Sequence, residues 1–168
     1  TYNRRFFQTK FSEYLASEEY SSGVASLVSF KDLAGLKGVL GFEKWQSVII
    51  KIAQILQEKS TENDQNAIVA RLNDNDFILL SYGKNSSNFS ALNDKIMAEF
   101  KKLYANFSIN DSECPVNAAI VEYSPSTDMR TLLTSADVTL ASARLAGCFT
   151  CKEFNANQNT LVIGKEKY

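Results

Sequence analysis

Two carboxylates and two amides stand together in Asn73-Asp74-Asn75-Asp76, between the apolar runs Val69-Ala70-Arg71-Leu72 and Phe77-Ile78-Leu79-Leu80. Carboxylate oxygens are hard donors suited to a divalent cation at phosphate. The same two acids can equally do no more than solvate a turn. A second pattern, Cys148-Phe149-Thr150-Cys151, has the spacing of a redox or zinc pair. The chain has no histidine and one further cysteine, Cys114. Zinc normally takes four ligands, so buried or incidental thiols in a reducing compartment are the better reading.

The elements that position these residues follow from periodicity. Asn and Asp bond their own main chain and tolerate left-handed backbone, so the polar quartet joins two strands, near 66–72 and 76–82, in a tight hairpin. Phe6, Phe7, Phe11, Tyr14 and Leu15 recur at helical spacing and predict a helix from about 3 to 18. Val24 to Phe30 reads as a buried strand. Asp32 to Leu40 reads as a helix stopped by Gly41, and Trp45 to Leu56 as a second helix ending at a polar loop from Glu58 to Gln65. After an exit loop over Gly83 to Asn88, Phe89 to Leu103 is helical and Pro115 to Val121 extended. Asp128 caps a helix that ends at Gly147, and Phe149 to Phe154 and Thr160 to Ile163 read as closing strands.

Composition bounds the partners. At 168 residues and 45% apolar content the chain suits one domain with a sizeable core. Eighteen basic against nineteen acidic side chains leave no field for nucleic acid. No apolar run reaches the roughly 18 residues of a membrane span. With no start methionine or signal peptide before Thr1, residues 1–168 are expected to be a single domain cut from a longer protein.

The spaced landmarks Asn3-Arg4-Arg5, Leu33 with Gly41, Arg71-Leu72 before the hairpin, Phe77, and Ala136-Asp137 through Arg144 to Gly147 together resemble the GGDEF family of diguanylate cyclase domains. The resemblance implies an α/β (α+β) fold with a central, mainly antiparallel sheet and flanking helices. Its core would be the ferredoxin-like β-α-β-β-α-β arrangement of a nucleotide-cyclase palm. The five signature positions read Asn73, Asp74, Asn75, Asp76 and Phe77, so no intact catalytic set is expected. By the same resemblance Ser29 and Asn75 fall at the two metal-carboxylate positions, and Lys37 and Gln46 at the guanine-reading ones. Ala34 and Phe42 replace the family's lysine and histidine. Arg144 falls at its phosphate-binding lysine. The Arg-x-x-Asp of the product-inhibition site is replaced by Asp64-Gln65-Asn66-Ala67, and Arg71 is expected to be a structural strand-edge residue.

What this implies is a catalytically inactive regulatory or interaction module of bacterial cyclic di-GMP signalling. It resembles the GGDEF part of transmembrane GGDEF-EAL receptors, with no cofactor and with magnesium relevant only alongside residual GTP binding. Its expected partners are the adjacent EAL and membrane or sensor segments, with a second copy and weakly bound GTP as alternatives. The domain would be cytoplasmic and its parent anchored in the inner membrane. The competing readings are a weak or altered diguanylate cyclase using Asp74 and Asp76, and a GTP-binding allosteric domain. Exposed parts of the first helix and of the hairpin are the expected interaction surfaces.

Overall fold

Side-chain alternation along one central strand decides how this chain is layered. In the computed structural model, which describes residues 1–155, the elements run β1 (Tyr2–Asn3), α1 (Arg4–Ala16), β2 (Gly23–Phe30), α2 (Leu36–Leu40), α3 (Phe42–Asn63), β3 (Ile68–Arg71), β4 (Asp76–Tyr82), α4 (Ser86–Asn106), β5 (Val116–Tyr123), α5 (Met129–Ala146) and β6 (Thr150–Glu153). The strands form one sheet in the order β1-β3-β4-β2-β5-β6. β2 pairs antiparallel with β4 and β5, and β3 antiparallel with β4. The outer strands β1 and β6 run parallel to β3 and β5. The expected mainly antiparallel sheet with flanking helices is what forms.

β2 is buried along its whole length because helices cover both faces of the sheet. Val24, Val28 and Phe30 face α3 and α4 and pack with Val48, Ile52, Leu56, Ile96 and Phe100. Ala25 and Leu27 face the other way, toward Phe7 and Phe11 of α1 and Leu132, Ala136 and Leu140 of α5. Each large apolar side chain so buried is worth about 1.5–3 kcal/mol relative to exposure. Strand side chains alternate, so Ser29 follows Ala25 and Leu27 onto the α5 face. Asp76 goes there with Ile78 and Leu80, and Asn117 with Ala119 and Val121. The register sets Ser29 directly opposite Asp76 on one side and Asn117 on the other. A polar row thus crosses three adjacent strands at one end of the sheet.

Several sequence expectations are corrected. The segment from Asp32 does not start as a helix. The Leu33 N–H is taken by the Asn75 amide oxygen and the Gly35 N–H by the Asp32 carboxylate, both at 2.9 Å, so α2 begins only at Leu36. The polar stretch from Glu58 is helical to Asn63, because Ser60 is buried one turn beyond Leu56 and keeps α3 against the core. The exit loop after β4 is shorter than expected. Asn85 and Asn88 exchange side-chain and backbone hydrogen bonds at 3.0 Å, a capping box that starts α4 at Ser86. Sequence reasoning missed β1, whose two residues are too few to show a period. The strand expected at Thr160 to Ile163 lies outside the described residues. As expected, Asp128 caps α5 by accepting from the Thr131 N–H at 2.8 Å, and Gly147, at φ 116°, follows its last turn.

Candidate functional site

Side chains, not left-handed backbone, hold the hairpin turn: none of residues 73–76 has a positive φ. Asn73 Oδ1 accepts the N–H groups of Asn75 and Asp76, both at 2.9 Å. Arg71 donates to the carbonyls of Asn73 at 3.2 Å and Asp74 at 2.8 Å, with its guanidinium 5.4 Å from the Phe77 ring centroid. Its role is structural, though not at an edge, since β3 lies between β1 and β4.

Asp76 anchors the polar row. Its Oδ1 accepts from the Ser29 hydroxyl at 2.6 Å and its Oδ2 from the Asn73 amide at 2.9 Å. The Ser29 oxygen in turn accepts from Arg144 Nη2 at 3.1 Å. A continuous relay Asn73–Asp76–Ser29–Arg144 therefore joins the hairpin to the end of α5. Asn75 is turned away from it: its amide oxygen receives the Leu33 N–H, and its carbonyl receives the Phe30 N–H at 2.9 Å. Asp74 is exposed at the tip.

On the other side of Ser29, Asn117 is 2% exposed and its amide nitrogen donates to three carbonyls: Ala143 at 3.2 Å, Gly147 at 2.7 Å and Thr150 at 3.2 Å. One side chain thereby secures the last turn of α5, the Gly147 corner and the start of β6, and so positions Arg144. Sequence reasoning passed over Asn117. Its signal was a lone amide inside an otherwise apolar strand, which burial makes costly unless it is bonded.

Ser29, Lys31, Asn75, Asp76, Asn117 and Arg144 contribute to the lining of an open cavity of about 450 Å³. Asp137, on α5, belongs to the same electrostatic neighbourhood. Burial and the nearby Asp76 push its carboxyl above the ordinary range, while Arg144 draws it back down. Of the site residues expected from sequence, the fold thus gathers Ser29, Asn75, Asp76 and Arg144. Lys37 and Gln46 do not line the cavity. The Lys37 ammonium lies 5.1 Å from the Trp45 ring centroid and 5.4 Å from that of Phe42, while Gln46 is exposed. Trp45 is itself fixed by donating to the Leu33 carbonyl at 2.7 Å.

The three cysteines are free thiols. Cys114 is fully buried, and burial pushes the Cys151 thiol up to about 12. Among the described residues no three His, Cys, Asp or Glu side chains group so as to hold a metal ion, and no helix is long and apolar enough to cross a membrane.

A family sequence model described as "Diguanylate cyclase, GGDEF domain" matches residues 1–148. Solved structures share the fold. The GGDEF domain of DgcB from Caulobacter crescentus in complex with c-di-GMP is 14% identical over 90% of each chain, with a TM-score of 0.74. The GGDEF domain of TpbB, or YfiN, from Pseudomonas aeruginosa is 19% identical over 96% of this chain and 94% of that one, with a TM-score of 0.71. The S helix-GGDEF-EAL portion of Vibrio cholerae LapD, bound to c-di-GMP, is 18% identical over 84% of this chain and 32% of that one, with a TM-score of 0.68. At these identities the likeness is one of fold. No curated protein matches the sequence.

Proposed function

The chain belongs to the GGDEF, or diguanylate cyclase, family, and we propose that it acts as a catalytically inactive regulatory and interaction module in cyclic di-GMP signalling. In this reading it is a single domain of a longer, membrane-anchored protein, faces the cytoplasm and works on an EAL domain in the same chain. The observation that carries the reading is the state of the Asp76 carboxylate, both of whose oxygens already accept hydrogen bonds from within the hairpin and β2.

The residues present do not fit a divalent metal at a nucleotide triphosphate. Ser29 and Asn75 bring no charge, the Asn75 amide oxygen is committed to the Leu33 N–H, and the Ser29 oxygen already serves Asp76 and Arg144. Side chains at Asn73 and Asp74 also crowd a turn where the family's glycines admit phosphate. The work of such a domain rests on its surfaces. A GGDEF domain joined to an EAL domain in LapD supports that arrangement by analogy of fold.

One observation favours a second reading, GTP binding without turnover. The cavity beside Asp76 is open and carries two cationic side chains, Lys31 and Arg144. Calorimetric titration with GTP plus magnesium, run beside cyclic di-GMP and followed by analysis for product, separates the readings. The inactive-module reading expects neither heat nor product with GTP. Heat without product would install the allosteric reading, and product would overturn both.

A further inference from the structure

Charge accounting at the polar row identifies what stands in for the missing metal. The position that resembles the family's first metal carboxylate is Ser29, and its oxygen is held by a guanidinium, Arg144 Nη2, at 3.1 Å. The same hydroxyl donates to Asp76 at 2.6 Å, so one hydroxyl bridges the guanidinium and the carboxylate. Burial and the Asp76 charge raise the Asp137 carboxyl, and Arg144 lowers it. Asp76 and Arg144 both line the same cavity. Arg144 is an exposed residue whose guanidinium reaches back to Ser29. It is the last-turn residue of α5, and Asn117 pins that turn through the Ala143 and Gly147 carbonyls.

We propose that Arg144 is the resident cation of this site, occupying the electrostatic place of a divalent metal and refusing one while it latches α5 to the hairpin. The inference rests on the reading of the domain as inactive and adds to it. Loss of the metal is then more than loss of carboxylates, because a permanently charged guanidinium sits where a dication would have to come. Of the two carboxylates returned by Ser29→Asp with Asn75→Asp, the one at position 29 stands where Arg144 already reaches.

The test compares Mn²⁺ binding, followed by electron paramagnetic resonance, to the double variant Ser29→Asp/Asn75→Asp and to the triple variant that adds Arg144→Ala. The triple variant is expected to bind at least about tenfold more tightly, as removal of a like charge beside carboxylate ligands requires. Equal affinities would overturn the proposal. A second comparison needs no metal and tolerates loss of stability. In urea melts of the single variants Arg144→Ala and Asp76→Asn and of the pair, Asp76→Asn is expected to relieve part of the loss caused by Arg144→Ala, because the carboxylate left uncompensated has been neutralised. Strictly additive losses would overturn the latch. Cyclic di-GMP made by the unaltered domain would sink the inactive reading, and the Mn²⁺ comparison, which needs no turnover, would still decide this one.

Discussion

At the scale of single residues, the hairpin has exchanged one means of making a turn for another. Glycines at its first two positions would provide backbone freedom, yet residues 73–76 all keep negative φ. Asn73 makes the turn instead, with two N–H groups on its oxygen and its amide on Asp76. Asn73→Gly should therefore destabilise the domain by about 0.5–1.5 kcal/mol, the net worth of hydrogen bonds that water can partly replace at an exposed turn, in urea or thermal melts. Asn75→Asp should be nearly silent in the same assay, since a carboxylate can accept the Leu33 N–H as the amide oxygen does. The opposite order of effects would mean that the side-chain bonds do not hold the turn. Buried hydroxyls supply a converse case. Ser60 and Ser81 are buried with no hydrogen-bond partner for Oγ among the described residues. Replacing either by Ala is expected to be neutral or to stabilise by up to about 1 kcal/mol.

At the scale of elements, α5 carries the site's cation, so what fixes its two ends matters. Its C-terminal end depends on Asn117, and Asn117→Ala should cost about 1–3 kcal/mol and loosen the Gly147 corner, seen as faster amide exchange at Gly147 and Thr150. Its N-terminal end depends on Asp128, whose carboxyl is held below the usual range by the Thr131 N–H and side chain. For an acid whose folded pKa is depressed, the stabilisation is fully present above the unfolded value and is lost as pH falls through the folded one. Asp128→Asn still caps but does not titrate, so the wild-type domain should lose ground to this variant as the pH is lowered into the acid range. Parallel pH-dependent melts of the two proteins would refute the assignment.

At the scale of the whole molecule, two apolar layers share one sheet. One lies under α3 and α4 and the other under α1 and α5, with β2 contributing to both. Layers joined through a common strand cannot come apart separately, so unfolding should be a single cooperative transition. Far-ultraviolet circular dichroism and the fluorescence of Trp45, the one tryptophan, should give coincident curves. Trp45 reports on the α3 side, and an earlier fluorescence transition would show that layer separating. The large apolar side chains most exposed among the described residues are Tyr2, Val39, Phe42, Ile50, Val138 and Leu145, the last at 91%. Tyr2 lies on β1, Val39 on α2, Phe42 and Ile50 on α3, and Val138 and Leu145 on α5, and the hairpin contributes none of them.

Residue order alone was enough for the family, most strand and helix types, the Asp128 cap and the Gly147 stop, because local periodicity, capping chemistry and signature spacing are all short-range properties. It was not enough to show that Ser29 stands between Asp76 and Asn117, since partners 47 and 88 positions apart are set by strand register. Nor could it show that Arg144, 115 positions from Ser29, brings its charge to that row. Those placements arise only when α5 packs across the sheet and burial obliges Ser29 and Asn117 to find partners. The sequence shows which side chains the site can draw on, and the fold decides which of them meet.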